Sequence, residues 1–312
     1  MIERRRGTLP AGTAAYVFEE ATRRRTAEER IVEKLRAAGY REAMVPSADY
    51  LAPYVPHLGA REERELYRFV DRHGDTIALR ADFTVAIARH LAPRLPADEE
   101  TTRLFYRGEV LRGGGRDGSS AEFYQVGAEL LGAGGAQAEL EIVERCAESL
   151  EAAEAGAIWL VLSSVGALDA CLFPLLGEPD TRDLAKAIRE RRLQPVAEAT
   201  AGLSPERREQ VRRLVEGGVT PDDPLLASLG TAGESLAAAA RALSRRKACD
   251  VTIDLAETPS RSYYTGFFFS VFGQEGGEPI AGGGRYDELY AAFGKPRPAV
   301  GFSLGLEALV RS

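Results

Sequence analysis

Arg107, Glu109, Gln125 and Glu129 are the residues whose types and spacing most directly suggest chemistry. A guanidinium takes a carboxylate in bidentate fashion, while carboxylates and an amide oxygen accept from an ammonium. The four together therefore suit a zwitterionic ligand. They lie in Arg103–Leu131, RLFYRGEVLRGGGRDGSSAEFYQVGAELL. Leu104–Leu111 and Phe123–Leu131 both alternate apolar with polar residues, as strands do, and GGGRDGSS between them is turn chemistry. An antiparallel hairpin with a long connection is expected. Side chains two or four apart share a strand face, so Arg107 goes with Glu109 and Gln125 with Glu129. If those faces coincide, one surface carries all four, and Tyr124, Val126, Ala128 and Leu130 pack on the other. The same pattern also fits an ordinary solvated face.

The rest of the composition narrows the classes. With 312 residues and 45% hydrophobic content, the chain holds one large domain or two ordinary ones with a full core. No run approaches the roughly 18 apolar residues of a membrane span, and MIERRRG has no apolar signal core, so a cytoplasmic protein without membrane contact is expected. Cys146, Cys171 and Cys249 form no C-x-x-C pair, and His57, His73 and His90 have no ligand spacing; no disulfide framework, metal or cofactor is expected. A net charge of −7 and a pI near 5.3 argue against a nucleic-acid partner.

Other elements must frame the hairpin. Ala14–Ala38 reads as a helix, with Ile31, Leu35 and Ala38 at helical spacing and Gly39 as its stop. GYREAMVPSADYL reads as a strand ended by Pro46. Leu66–Asp71 and Thr76–Leu79 form a second hairpin across RHGD. LRADFTVAIARHLAPRL passes from strand to helix with Thr84 as cap and Asp82 at the corner, where side chains often meet ligands. Ala136–Ala153 is helical, with a stripe of Leu140, Val143, Ala147 and Leu150. Ile158–Val165 is a buried strand and Gly166–Leu176 a helix. From Asp180 to Arg246 the segments are charged, alanine-rich and helical, so 167–247 reads as a helical insertion into a core of 1–166 and 248–312; more of the same domain is the alternative. Strands return in CDVTIDLAE and SYYTGFFFSVFG. AGGGRYDELYAAFG brings Arg285, Tyr286 and Asp287 to a helix entry, its glycines allowing close backbone approach but only weakly suggesting phosphate. PAVGFSLGLEALV closes as strand into helix.

The order of these segments resembles the catalytic core of a class II aminoacyl-tRNA synthetase, the histidyl branch in particular. GYREAMVP is similar to its first motif, FYRGEV and EFYQVGAE to its second and AVGFSLGLEAL to its third; SYYTGFFF and AGGGRYDEL resemble the two histidine-pocket signatures. The resemblance implies an α+β fold, an antiparallel sheet flanked by helices, and a homodimer. It implies a histidine-binding set of Asp82, Thr84, Arg107, Gln125 and Glu129, walled by Tyr263, Tyr264 and Tyr286. Asp82 is a methylene shorter than the family's glutamate.

The departures bear on activity. Ala308 stands where the third motif carries an arginine, Pro259 where the histidyl signature carries another, and Ser119 and Ala121 where the second motif's loop is basic; Arg261 lies two residues further along. Losing these cations removes the environment that adenylation depends on. The chain also ends where the third motif ends, before any anticodon-binding domain. A core that keeps histidine recognition without ATP chemistry resembles the regulatory subunits of ATP phosphoribosyltransferase. That resemblance implies no catalytic residues, a short-form catalytic subunit as partner and L-histidine as effector. The alternatives are an enzyme that still makes histidyl-adenylate without reading tRNA, and a scaffold with an unused pocket.

Overall fold

The computed structural model describes residues 9–95, 101–113, 121–176, 181–274 and 276–309. In chain order the elements are α1 (Phe18–Ala37), β1 (Arg41–Glu42), β2 (Ala48–Tyr50), α2 (Ala60–Arg64), β3 (Arg68–Val70), β4 (Thr76–Leu79), α3 (Phe83–Leu91), β5 (Thr102–Leu111) and β6 (Glu122–Leu131). There follow α4 (Gly135–Ala152), β7 (Ile158–Ser164), α5 (Ala167–Leu176), α6 (Arg182–Arg189), α7 (Leu193–Ala199), α8 (Pro205–Glu216), α9 (Pro224–Ala227) and α10 (Thr231–Leu243). The last are β8 (Cys249–Ile253), β9 (Phe267–Gly273), β10 (Ala281–Arg285), α11 (Asp287–Ala292), β11 (Ala299–Gly305) and α12 (Leu306–Leu309). They divide into two compact units, one of residues 1–132, 146–155 and 287–312, the other of 133–145 and 156–286.

In the first unit the strands run β1-β5-β6-β11, with β1 parallel to β5 and the other pairs antiparallel. Helix α1 turns Ala27, Glu28, Ile31, Val32 and Leu35 inward. Fully burying a side chain such as Ile31 or Leu35 stabilises by about 2 kcal/mol. Gly39, at φ +85°, ends the run as expected. The expected strand GYREAMVPSADYL is instead two short strands, β1 and β2, in separate sheets. Proline has no amide to give a ladder, and Pro46 lies in the break. Strands β2, β4 and β3 form a small antiparallel sheet that includes the expected second hairpin. The cap of α3 is Asp82, whose side chain accepts from the Val85 amide at 3.3 Å; Thr84, expected there, is already inside the helix.

In the second unit the order is β10-β9-β7-β8, antiparallel except for β7 with β8. The glycines of AGGGR are therefore strand rather than loop. A Cβ on Gly284 would stand 2.9 Å from the Phe267 carbonyl oxygen, so the neighbouring strand requires glycine there. Strand β9 begins only at Phe267, which leaves Ser262–Gly266 as turn. Among the described residues, 167–247 are helices and turns apart from one isolated bridge, Val219 to Ile253. Trp159 on β7 is 46% exposed, its indole donating to Thr252 Oγ1 at 2.9 Å and lying 5.4 Å from the Phe272 ring.

Candidate functional site

The β5–β6 register decides which predicted residues meet. Arg107 stands opposite Val126, Gly108 opposite Gln125 and Leu104 opposite Glu129. Directly opposed residues share a face, so Gln125 and Glu129 lie with Leu104, Tyr106 and Gly108. Arg107 and Glu109 lie on the other face with Tyr124 and Val126. The expectation that one surface gathers all four polar groups is thus not met, because a single residue of register exchanges the faces. One feature of the packing favours this register. Tyr106 lies over Gly127, where a Cβ would stand 2.4 Å from the ring, and Phe83 stacks on Tyr106 at 4.4 Å. Gly108, at φ +142°, leaves room for Phe83 and Arg80.

Arg107 belongs to a different network. Its Nε donates to Glu42 at 2.9 Å and its Nη1 to Glu28 at 3.0 Å. The Tyr124 hydroxyl donates to the same Glu28 oxygen at 2.9 Å, and Arg25 pairs with the other. The Glu42 hydrogen bond, ahead of the opposing effect of burial, raises the Arg107 pKa, and burial foremost pushes the Tyr124 phenol up to about 12. The buried Glu28, 2% exposed, is therefore surrounded by donors.

On the other face Glu129 is 1% exposed. Its Oε1 accepts from the Thr84 hydroxyl at 2.8 Å, and its Oε2 is buried without a partner. Burial pushes this carboxyl well above its usual range; the Thr84 bond opposes the shift and the charge of Asp82 adds to it. Thr84 reaches Glu129 because the Asp82 cap starts α3 one residue earlier. Arg80 braces that corner, its guanidinium 4.0 Å from the Phe83 centroid and donating to the carbonyls of Glu109, Val45 and Pro46. Asp82, Thr84 and Glu129 are thus brought together, with Gln125, 9% exposed, on the Glu129 face. This group offers an ammonium or a ring N–H an open carboxylate oxygen in a dry setting.

Two residues escaped the sequence reading. Arg112 follows β5, and its Nε donates to the Ala81 carbonyl at 3.0 Å beside the Asp82 corner. The alternation Gly108, Val110, Arg112 would have pointed to it. Tyr290 on α11 is fully buried, and the charge of Glu129 adds to burial in raising its phenol. No pattern in the sequence marks it. The expected tyrosines form an aromatic cluster in the second unit: Tyr263 meets Tyr264 edge-on at 5.3 Å and Tyr286 at 5.7 Å, and Tyr264 stacks with Phe268 at 6.3 Å. Arg285 beside them is held by Glu139 at 2.6 Å. Ser119 lies outside the described residues, whereas Ala121 is buried in the strand entry. Among the described residues no group of His, Cys, Asp or Glu is arranged for a metal, and no helix is long and apolar enough to cross a membrane.

The sequence profile of the histidyl-tRNA synthetase family matches residues 12–309, which defines the class: a histidyl-type class II synthetase core. An ATP phosphoribosyltransferase regulatory subunit from Moorella thermoacetica is 35% identical over 97% of this chain and 81% of its own length. The chain belongs to the family of ATP phosphoribosyltransferase regulatory subunits. A solved structure from Bacillus halodurans, described as an ATP phosphoribosyltransferase regulatory subunit/histidyl-tRNA synthetase, superposes with a TM-score of 0.82 at 27% identity, covering 97% of this chain and 82% of that one. An ATP phosphoribosyl transferase complex from Thermotoga maritima gives 0.70 at 20% identity, covering 93% of this chain and 98% of that one, a likeness of fold. The expected α+β synthetase-like fold and the expected membership among regulatory rather than catalytic subunits both hold.

Proposed function

We propose that this chain is the histidine sensor of an ATP phosphoribosyltransferase, supporting a short catalytic subunit and conveying feedback inhibition in the first step of histidine biosynthesis. It performs no catalysis of its own and works in the cytoplasm as a homodimer within a hetero-oligomer. The observation that carries the reading is Glu129, a buried carboxyl with one oxygen held by Thr84 and the other open. Histidine brings an ammonium and a ring N–H, either of which completes that group, and Gln125 and Asp82 offer further polar atoms. The resemblance assigns the same ligand to Tyr263, Tyr264 and Tyr286, and Tyr264→Ala tests that assignment separately. The names of the Moorella relative and the Thermotoga complex support the partner.

Regulation requires that histidine bind the inhibited assembly more tightly than the active one, and the coupling is reciprocal. The test is calorimetric titration of L-histidine into the chain alone and into its mixture with the short transferase. Saturable binding is expected in both, with different affinities, and lost in Glu129→Gln. Equal affinities would sink the regulatory coupling, and unchanged binding by Glu129→Gln would move the ligand elsewhere. ATP–pyrophosphate exchange on the chain alone should be absent.

A further inference from the structure

Tyr290 has an unusual position. Its side chain is fully buried, its hydroxyl has no hydrogen-bond partner, and the charge of Glu129 acts on it. Glu129 Oε2 is buried and open in the same way. A buried hydroxyl or carboxyl oxygen left unpaired costs about 1–3 kcal/mol, and phenylalanine at position 290 would avoid its share of that. The ring does not need its hydroxyl to stay in place. The Tyr290 carbonyl accepts from the amides of Phe293 at 3.2 Å and Lys295 at 3.0 Å, closing α11. At the other end of the helix, Asp287 accepts from the Ala299 amide at 2.8 Å. The backbone positions the ring, and the hydroxyl is left over.

We propose that Tyr290 is a specificity-determining residue of the Glu129 pocket, its hydroxyl and Glu129 Oε2 together receiving a ring that carries both a donor and an acceptor nitrogen. The proposal rests on the histidine reading above and deepens it. An imidazole satisfies both atoms, its N–H donating to Glu129 and its second nitrogen accepting from the phenol. A ring of the same shape without nitrogen leaves both unpaired. Sites with buried polar groups reject ligands that cannot satisfy them far more strongly than apolar pockets reject a missing methylene.

The test compares wild type with Tyr290→Phe in the full chain. Free Tyr290→Phe should melt at or above the wild-type temperature, since it sheds an unpaired hydroxyl. L-histidine should bind it about tenfold more weakly, the scale of one hydrogen bond of roughly 1.4 kcal/mol. Thienylalanine, which lacks ring nitrogens, should bind both proteins alike, so that discrimination narrows. A clearly lower melting temperature would mean that the hydroxyl is already satisfied inside the protein, and would overturn the proposal. Unchanged histidine affinity would overturn it as well. If wild type takes no histidine, the functional reading fails, and imidazole alone serves as probe. Imidazole that binds wild type and not Tyr290→Phe upholds the role of Tyr290; imidazole bound equally or not at all overturns it.

Discussion

Glu28 and Glu129 are both nearly removed from solvent, and they serve opposite faces of one hairpin. Around Glu28 stand Arg25, Arg107 and the Tyr124 hydroxyl, so every oxygen has a donor. Around Glu129 stands only Thr84, with Asp82 adding charge of its own sign. Equal burial therefore does not mean equal role. A carboxylate enclosed by cations is part of the scaffold, and removing it strands the cations. A carboxyl left half-open and pushed toward its neutral form marks a place reserved for something else.

The largest effect that would break or keep this contrast is on stability. Glu28→Ala should lose about 3 kcal/mol, the cost of breaking a buried ion-paired group from one side. Urea titration of the two variants measures it, and Glu129→Gln should lose less than about 1 kcal/mol. Similar losses would erase the distinction. A smaller effect comes with pH. The folded pKa of Glu129 lies above its ordinary value of 4.5, so the stability it contributes is complete below that value and declines as pH rises through the folded pKa. Glu129→Gln removes this dependence. The melting temperature of the variant relative to wild type should therefore grow from about pH 4.5 toward neutral, and a constant difference would contradict the assignment. The smallest effect is at the corner that aims Thr84. Asp82→Ala deletes the α3 cap and should cost about 1 kcal/mol, read by the same urea titration, with no change near Glu28.

Much of this was legible in the sequence, though unevenly. The two strands of the hairpin, α1 with its Gly39 stop and the membership of Glu129 in a polar site followed from alternation, spacing and resemblance. The pairing register did not, because alternation gives each strand two faces and says nothing about which face meets which. Arg107 was assigned to the ligand for that reason, when its guanidinium is committed to Glu28 and Glu42. The Tyr106 ring over Gly127 is the sort of contact that sets register, and it is visible only in three dimensions. The Thr84 cap failed for a local reason: Asp82 is an equally good cap two residues earlier, and it won. Tyr290 was unreadable because an aromatic residue on a short helix is ordinarily core, and only its unpaired hydroxyl distinguishes it.

Trp159 has a consequence for anyone following this molecule by light. It is the only tryptophan in the sequence, and it sits in the second unit, half-exposed against Phe272. Intrinsic fluorescence therefore reports the sheet of β7–β10, whereas Glu129 lies in the first unit. Far-ultraviolet circular dichroism sees both. Where the two signals melt together, the units unfold as one; where they part, the optical trace alone would miss a ligand that steadies the first unit.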